Sequence, residues 1–148
     1  MKNVYLAGLC AVMLLFSSQV WAQSTPEKLV SQFFQTLEAS GTSKALDDLY
    51  ATNVWMDKAQ EAILNLKNQM ATLTEDYVGK YHGYEPITKR SIADSYVLMS
   101  YLVRYDRQPL RFTFQFYKPQ NEWRVYSFKY DAGLDDELEE AAKIYFLD

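Results

Sequence analysis

Apolar positions along this chain follow two periods. From Leu29 to Tyr77 they recur every three or four residues, and from Ile87 to Tyr130 they alternate. The first period predicts helices and the second predicts half-buried strands. Thr25-Pro26-Glu27 reads as a helix start, with a hydroxyl N-cap, proline at the first helical position and an acid in the first turn. Leu29, Phe33, Phe34 and Leu37 then share one face, and Gly41 ends the helix. A second short helix is predicted from about Ser43, with Leu46, Leu49 and Tyr50 inward, followed by a corner at Asn53-Val54-Trp55-Met56. From Asp57 the positions Ala59, Ile63, Leu66, Met70, Leu73 and Tyr77 form one stripe on a long helix, its end bracketed by Gly79 and Gly83.

Four strands follow, predicted over Ile87 to Ala93, Tyr96 to Tyr105, Leu110 to Tyr117 and Trp123 to Tyr130, with short polar connections. Such connections make an antiparallel meander. A last helix starts at Asp135 or Asp136, with Leu134, Leu138, Ala142 and Tyr145 at helical spacing. The fold class is therefore α+β, with N-terminal helices, one of them long, packed on a curved four-stranded antiparallel sheet, and a short C-terminal helix.

Turn lengths sort the strand side chains by face. A two-residue turn at Arg107-Gln108 sets Tyr101 opposite Phe114 and Val103 opposite Phe112. A five-residue loop after Tyr117 sets Phe112 opposite Phe128 and Phe114 opposite Tyr126. One face then gathers the apolar and aromatic residues, from Val97, Met99 and Tyr101 to Tyr126, Phe128 and Tyr130. The long helix is its expected cover. The other face mixes Leu98, Leu102, Tyr117, Trp123 and Val125 with Ser100, Arg104, Arg111, Thr113, Gln115 and Lys129.

The segment before these elements narrows the class further. Lys2, an apolar run from Val4 to Phe16 and the small-residue exit Val20-Trp21-Ala22 read as an export signal over residues 1–22. The run is short of the roughly 20 residues a membrane span needs. No stable span is expected after cleavage, and the protein is expected to be periplasmic or secreted. Leu6-Ala7-Gly8-Leu9-Cys10 loosely matches a lipoprotein box, but Leu9 stands where a small residue is needed. Residues 23–148 then read as one domain. The only cysteine, Cys10, leaves with the signal, so neither a disulfide nor a thiolate metal site is expected. Losing Lys2 leaves 14 basic residues against 19 acids, a formal charge of −5, which argues against nucleic acid as a partner.

Helices first, then a long helix on a curved meander, resembles the nuclear transport factor 2-like superfamily, whose cone-shaped fold is related to cystatin. Lys44-Ala45-Leu46-Asp47-Asp48-Leu49-Tyr50-Ala51 resembles the second-helix pattern of that superfamily, and Glu122-Trp123-Arg124-Val125 resembles the start of its last strand. The likeness covers nearly all of residues 23–148, and the chain departs from it in lacking a clear strand between its second and third helices. The superfamily includes isomerases, dehydratases, transport adaptors and exported domains without an activity, so the resemblance implies a fold and leaves function open.

Candidate chemistry is sparse. His82, the only histidine, lies between Tyr81 and Tyr84. It can serve as a general base or as a cation at the end of the long helix. The resemblance implies an acid and a tyrosine inside the cone for isomerase chemistry. The inner face offers Tyr101, Tyr105, Tyr126 and Tyr130 but no Asp or Glu, so no catalytic residue is assigned. Together with His82 these tyrosines are the ligand-pocket candidates. Arg104, Arg111 and Lys129, with Trp123, are candidates for holding an anion or a partner. The alternative is internal compensation, with Glu85 beside Arg104 and acids arriving on the terminal helix. The run Asp135 to Glu140 lacks the glycine and alternating oxygen ligands of a calcium loop, so neither a metal nor a cofactor is expected.

These features favour an exported, non-catalytic binding or interaction module. It would form a homodimer through the mixed sheet face, or bind an envelope protein or a small apolar ligand. The rival is a small cone-pocket enzyme of isomerase or dehydratase type, acting on a hydrophobic substrate.

Overall fold

The computed structural model describes residues 24–143; the expected export signal, Cys10 and Tyr145 lie outside them. The elements run α1 Pro26–Ser40, α2 Thr42–Tyr50, a 3₁₀ segment Val54–Ala59, α3 Gln60–Met70, α4 Glu75–Val78, β1 Tyr81–Ile92, β2 Tyr96–Tyr105, β3 Leu110–Tyr117, β4 Arg124–Asp131 and α5 Leu134–Ala142. The strands form one antiparallel sheet in the order β1-β2-β3-β4, so the fold is α+β, helices followed by a meander. Thr25 caps α1 by accepting the Lys28 N–H. Gly41 breaks α1 from α2 at φ 83°, a backbone conformation that a side chain would strain.

The expected long helix is three pieces. Asn53 starts the 3₁₀ segment by accepting the Trp55 N–H. The Thr72 hydroxyl bonds back to the Gln69 carbonyl, and Thr74 is extended at ψ 162° before α4, so α3 stops at Met70. Of its stripe only Ile63 and Met70 are buried, and Tyr77 is exposed.

The cover of the sheet is α1 instead. Its buried face, Leu29, Val30, Phe33, Phe34 and Leu37, lies on the aromatic interior. The Phe33 ring sits 5.1 Å from Phe114 and 5.3 Å from Phe128, and Phe34 stacks on Tyr84 at 3.7 Å. Two adjacent phenylalanines widen the apolar stripe of α1, and each aromatic pair adds about 0.5–1.5 kcal/mol beyond area burial.

The register differs from expectation in a regular way. Tyr101 pairs with Phe112 and Val103 with Leu110, while Phe112 pairs with Tyr130 and Phe114 with Phe128. Each pairing is displaced by two residues, one full side-chain period, so the faces of β2 and β3 hold. The tight Arg107-Gln108 turn does not form, because the Asp106 and Arg107 amides bond the carbonyls of Lys80 and Val78. Between β3 and β4 the loop is one residue longer than expected, and a bulge opposite Gln115 and Phe116 adds the second. That bulge reverses the expected faces near the start of β4. Val125 is fully buried, Trp123 packs against the core, and Tyr126 turns out to the opposite face beside Tyr96, at 5.8 Å.

The β4 edge is capped by the end of α2. The Thr52 hydroxyl accepts the Val125 N–H at 3.0 Å, and the Asn53 amide donates to the Val125 carbonyl at 2.8 Å.

Candidate functional site

The inner face of the sheet is full. Phe112, Phe114, Phe116 and Val103 have no accessible area, so not even a water fits beside them. Tyr101 lies buried among Phe34, Tyr84 and Phe114. Burial, with the charges of Tyr84 and Glu27 adding, pushes its phenol up to about 12. Tyr105 is half-buried beside Tyr81 and is likewise raised by burial, while Tyr130 packs edge-on to Phe112. Of the four tyrosines expected to line a pocket, Tyr101, Tyr105 and Tyr130 lie on the inner side, and Tyr126 lies on the outer side, 56% exposed.

His82 stands at neither expected place. It lies in β1, exposed, with Nε2 2.5 Å from the Asp106 carboxylate. The second Asp106 oxygen accepts the Lys80 N–H at 2.7 Å. The bond from His82, then that of Lys80, holds the Asp106 carboxyl below its ordinary value. Gly79 allows this approach, since a Cβ there would stand 2.5 Å from that of Asp106. Arg104 donates to the His82 carbonyl, and Arg107 donates to that of Asp76. The histidine is thus part of a clasp tying the start of β1 to the β2–β3 turn.

The outer face is organised in rows across the four strands. Ile92, Tyr96, Tyr117 and Arg124 pair in sequence at one end, with Tyr126 beside them. Arg90, Leu98, Gln115 and Ser127 form the next row, then Thr88, Ser100, Thr113 and Lys129. Glu85, Leu102, Arg111 and Asp131 close the far end. Ile92, Tyr117 and Tyr126 are exposed large side chains.

Two of the three basic candidates on this face are compensated from within. Arg104 pairs with Glu85 at 3.1 Å, the partner expected from the sequence. Arg111 makes a two-pronged bond to Asp131 at 2.9 and 3.0 Å and takes Glu137 of α5 at 2.6 Å. Those bonds, Glu137 first, raise the Arg111 pKa further, and Arg111 in turn lowers that of Glu137. Lys129 pairs with no acid among the described residues, and the same holds for Arg90 and Arg124. Asp131 and Glu137 were not singled out as partners, although their i+20 and i+26 spacing from Arg111 follows once the β3–β4 register is known.

Trp123 is not on this face. With Pro26, Val97, Lys89 and Lys118 it lines a cleft of about 490 Å³ at the start of α1, the Lys118 ammonium 5.0 Å above its ring. Among the described residues no three His, Asp or Glu side chains converge as a metal site, and no helix is long and apolar enough to cross a membrane. In comparisons with known proteins, no family model, no curated protein and no solved structure matches the chain.

Proposed function

We propose that this chain is an exported, non-catalytic interaction module that works through the outer face of its sheet, on a fold of the nuclear transport factor 2-like kind. One observation carries the reading. The inner face, where a cone-pocket enzyme would hold its substrate, is filled by buried rings, with Phe112, Phe114 and Phe116 at zero accessible area, while the outer face offers exposed aromatics beside cations that have no acid partner among the described residues. Tyrosine and arginine on one patch are the residue types that dominate binding energy at protein interfaces. The support for that fold is the order of its elements, helices and then an antiparallel meander, although α1 and not a long third helix covers the sheet. Export rests on the leader Lys2 to Ala22. The rival enzyme reading has His82 spent on Asp106, and Glu27, the acid whose charge reaches Tyr101, is held by Lys89 at 2.6 Å.

The test is a photo-crosslinking residue at position 126 or 117 of the full chain, expressed in an exporting cell. Discrete adducts from both positions, and none from the exposed helix position Ala39, are expected. If the outer-face positions give none and native mass spectrometry finds a small apolar molecule retained by the protein, the interior reading replaces this one. N-terminal sequencing of the exported material should begin at Gln23, and an acylated Cys10 would overturn that cleavage.

A further inference from the structure

We infer that the occupant of the outer face is α5 of a second copy of the chain, exchanged reciprocally across a two-fold axis. The inference rests on the outer-face reading above and names its partner. The charges are complementary. The first turn of α5 carries Asp135, Asp136 and Glu137, Glu139 follows, and the sheet holds Arg90, Arg124 and Lys129 without acid partners among the described residues. The apolar surfaces are complementary too. Leu134 and Leu138 share a helix face, Leu138 is 70% exposed in its own molecule, and Ile92, Tyr117 and Tyr126 lie open on the sheet. The contact chemistry already occurs once, where Arg111 of the sheet holds Glu137 of the helix.

Reach decides which copy supplies the helix. α5 leaves the sheet just past Asp131, in the same row as Arg111, whereas the aromatic row ends at Arg124 on the same strand. Those rows are roughly 23 Å apart at about 3.3 Å per strand residue, and a helix of nine residues spans roughly 14 Å at about 1.5 Å per residue. A molecule's own α5 therefore stops short of its aromatic row. A second sheet stacked face to face with its strands reversed sets its Arg111 end, and so its α5, above that row. The two-fold axis makes the exchange mutual, so the contact closes at two copies.

The test is sedimentation of residues 23–148 at low and high salt, with two charge-reversed variants. One carries Arg124→Glu and Lys129→Glu; the other carries Asp135→Lys, Asp136→Lys and Glu139→Lys. The wild type should be a dimer that weakens with salt. Each variant alone should associate at least about tenfold more weakly, and an equimolar mixture should recover a heterodimer, because each sheet then meets a helix of opposite charge. A wild type that stays monomeric overturns the inference, as does a helix variant that still dimerises. Independently of variant folding, a photo-crosslinker at position 138 of the otherwise unaltered chain should join two chains, with the adduct in residues 117–126. An adduct confined to one chain overturns the exchange. Foreign-protein adducts from position 126 in a protein monomeric by sedimentation would leave the outer-face reading standing and remove only this occupant.

Discussion

α1 and α3 both carry an apolar stripe, yet one roofs the sheet and the other lies beside the core. α1 buries six positions and sets two phenylalanine rings against four strands' worth of aromatics. α3 buries two, and only Met70 joins the main cluster. Spacing alone does not separate them, since both repeat at helical period. What separates them is the bulk on the stripe and the length over which it stays in phase. Phe33 and Phe34 fill the depth of a sheet lined by Phe112, Phe114 and Phe128, while the stripe of α3 is cut by a 3₁₀ turn before it and by Thr72 after it.

Truncating one residue on each helix tests this contrast most directly. Phe34→Ala removes a fully buried ring stacked on Tyr84 and should cost about 3–5 kcal/mol in urea unfolding. Ile63→Ala, outside the main cluster, should fall at or below about 2 kcal/mol, the low end for buried aliphatics. Equal costs would mean that α3 shares the roof after all. A smaller effect probes how the helical layer holds the sheet edge. Asn53→Ala leaves the Val125 carbonyl without its donor and should cost about 1–2 kcal/mol, with the amide exchange of β4 rising more than that of β2.

Two pH experiments refine the contrast between interior and rim. Tyr101 and Tyr81, both raised to about 12 chiefly by burial, stay neutral in the fold after an unfolded tyrosine has ionised near 10. Their folded pKa is raised, so the stability they protect is complete below pH 10 and is lost as pH climbs from about 10 to about 12. Phenolate absorbance should show a late class of tyrosines, and Tyr101→Phe should remove one of them. At the rim the sign is opposite. Asp106 is depressed from its ordinary 3.8 by His82 and Lys80, so its contribution is present above about that pH and vanishes as pH falls through the lowered value. The difference in melting temperature between wild type and Asp106→Asn should be small at pH 6 and should shrink further toward pH 3; a gap that widens on acidification would refute the clasp.

Legibility in the sequence followed the same divide. The faces of β2 and β3 are readable because an error of two residues leaves alternation intact. Arg104 meets Glu85 for the same reason, since in the β1–β2 register Glu85 lies opposite Leu102, two residues away on the same face. Tyr126 and Trp123 lie on the faces opposite to those that alternation predicts because a bulge is one unpaired residue with no compositional mark here; neither glycine nor proline flags it. The place of His82 is hidden in the sequence because Gly83 and Pro86 conceal a strand that starts at Tyr81 and carries two irregularities. The basic residues were visible as candidates. Which of them were already paired depended on Asp131 and Glu137, whose positions follow only from the β3–β4 register and the placement of α5.

The Thr52 and Asn53 bonds to Val125 have a consequence for what this protein cannot become. A sheet extends into a fibre only if strands can be added at both sides, because each molecule joined must present a fresh template to the next. Here the outermost strand on one side has its Val125 donor and acceptor taken by its own helical layer, while the opposite side is bent by two irregularities and carries Pro86. Pairing through the opposite side joins two molecules and then presents borders on which the Val125 groups are already taken. Strand addition is therefore hindered at both edges, which suits a chain so rich in aromatic strand residues.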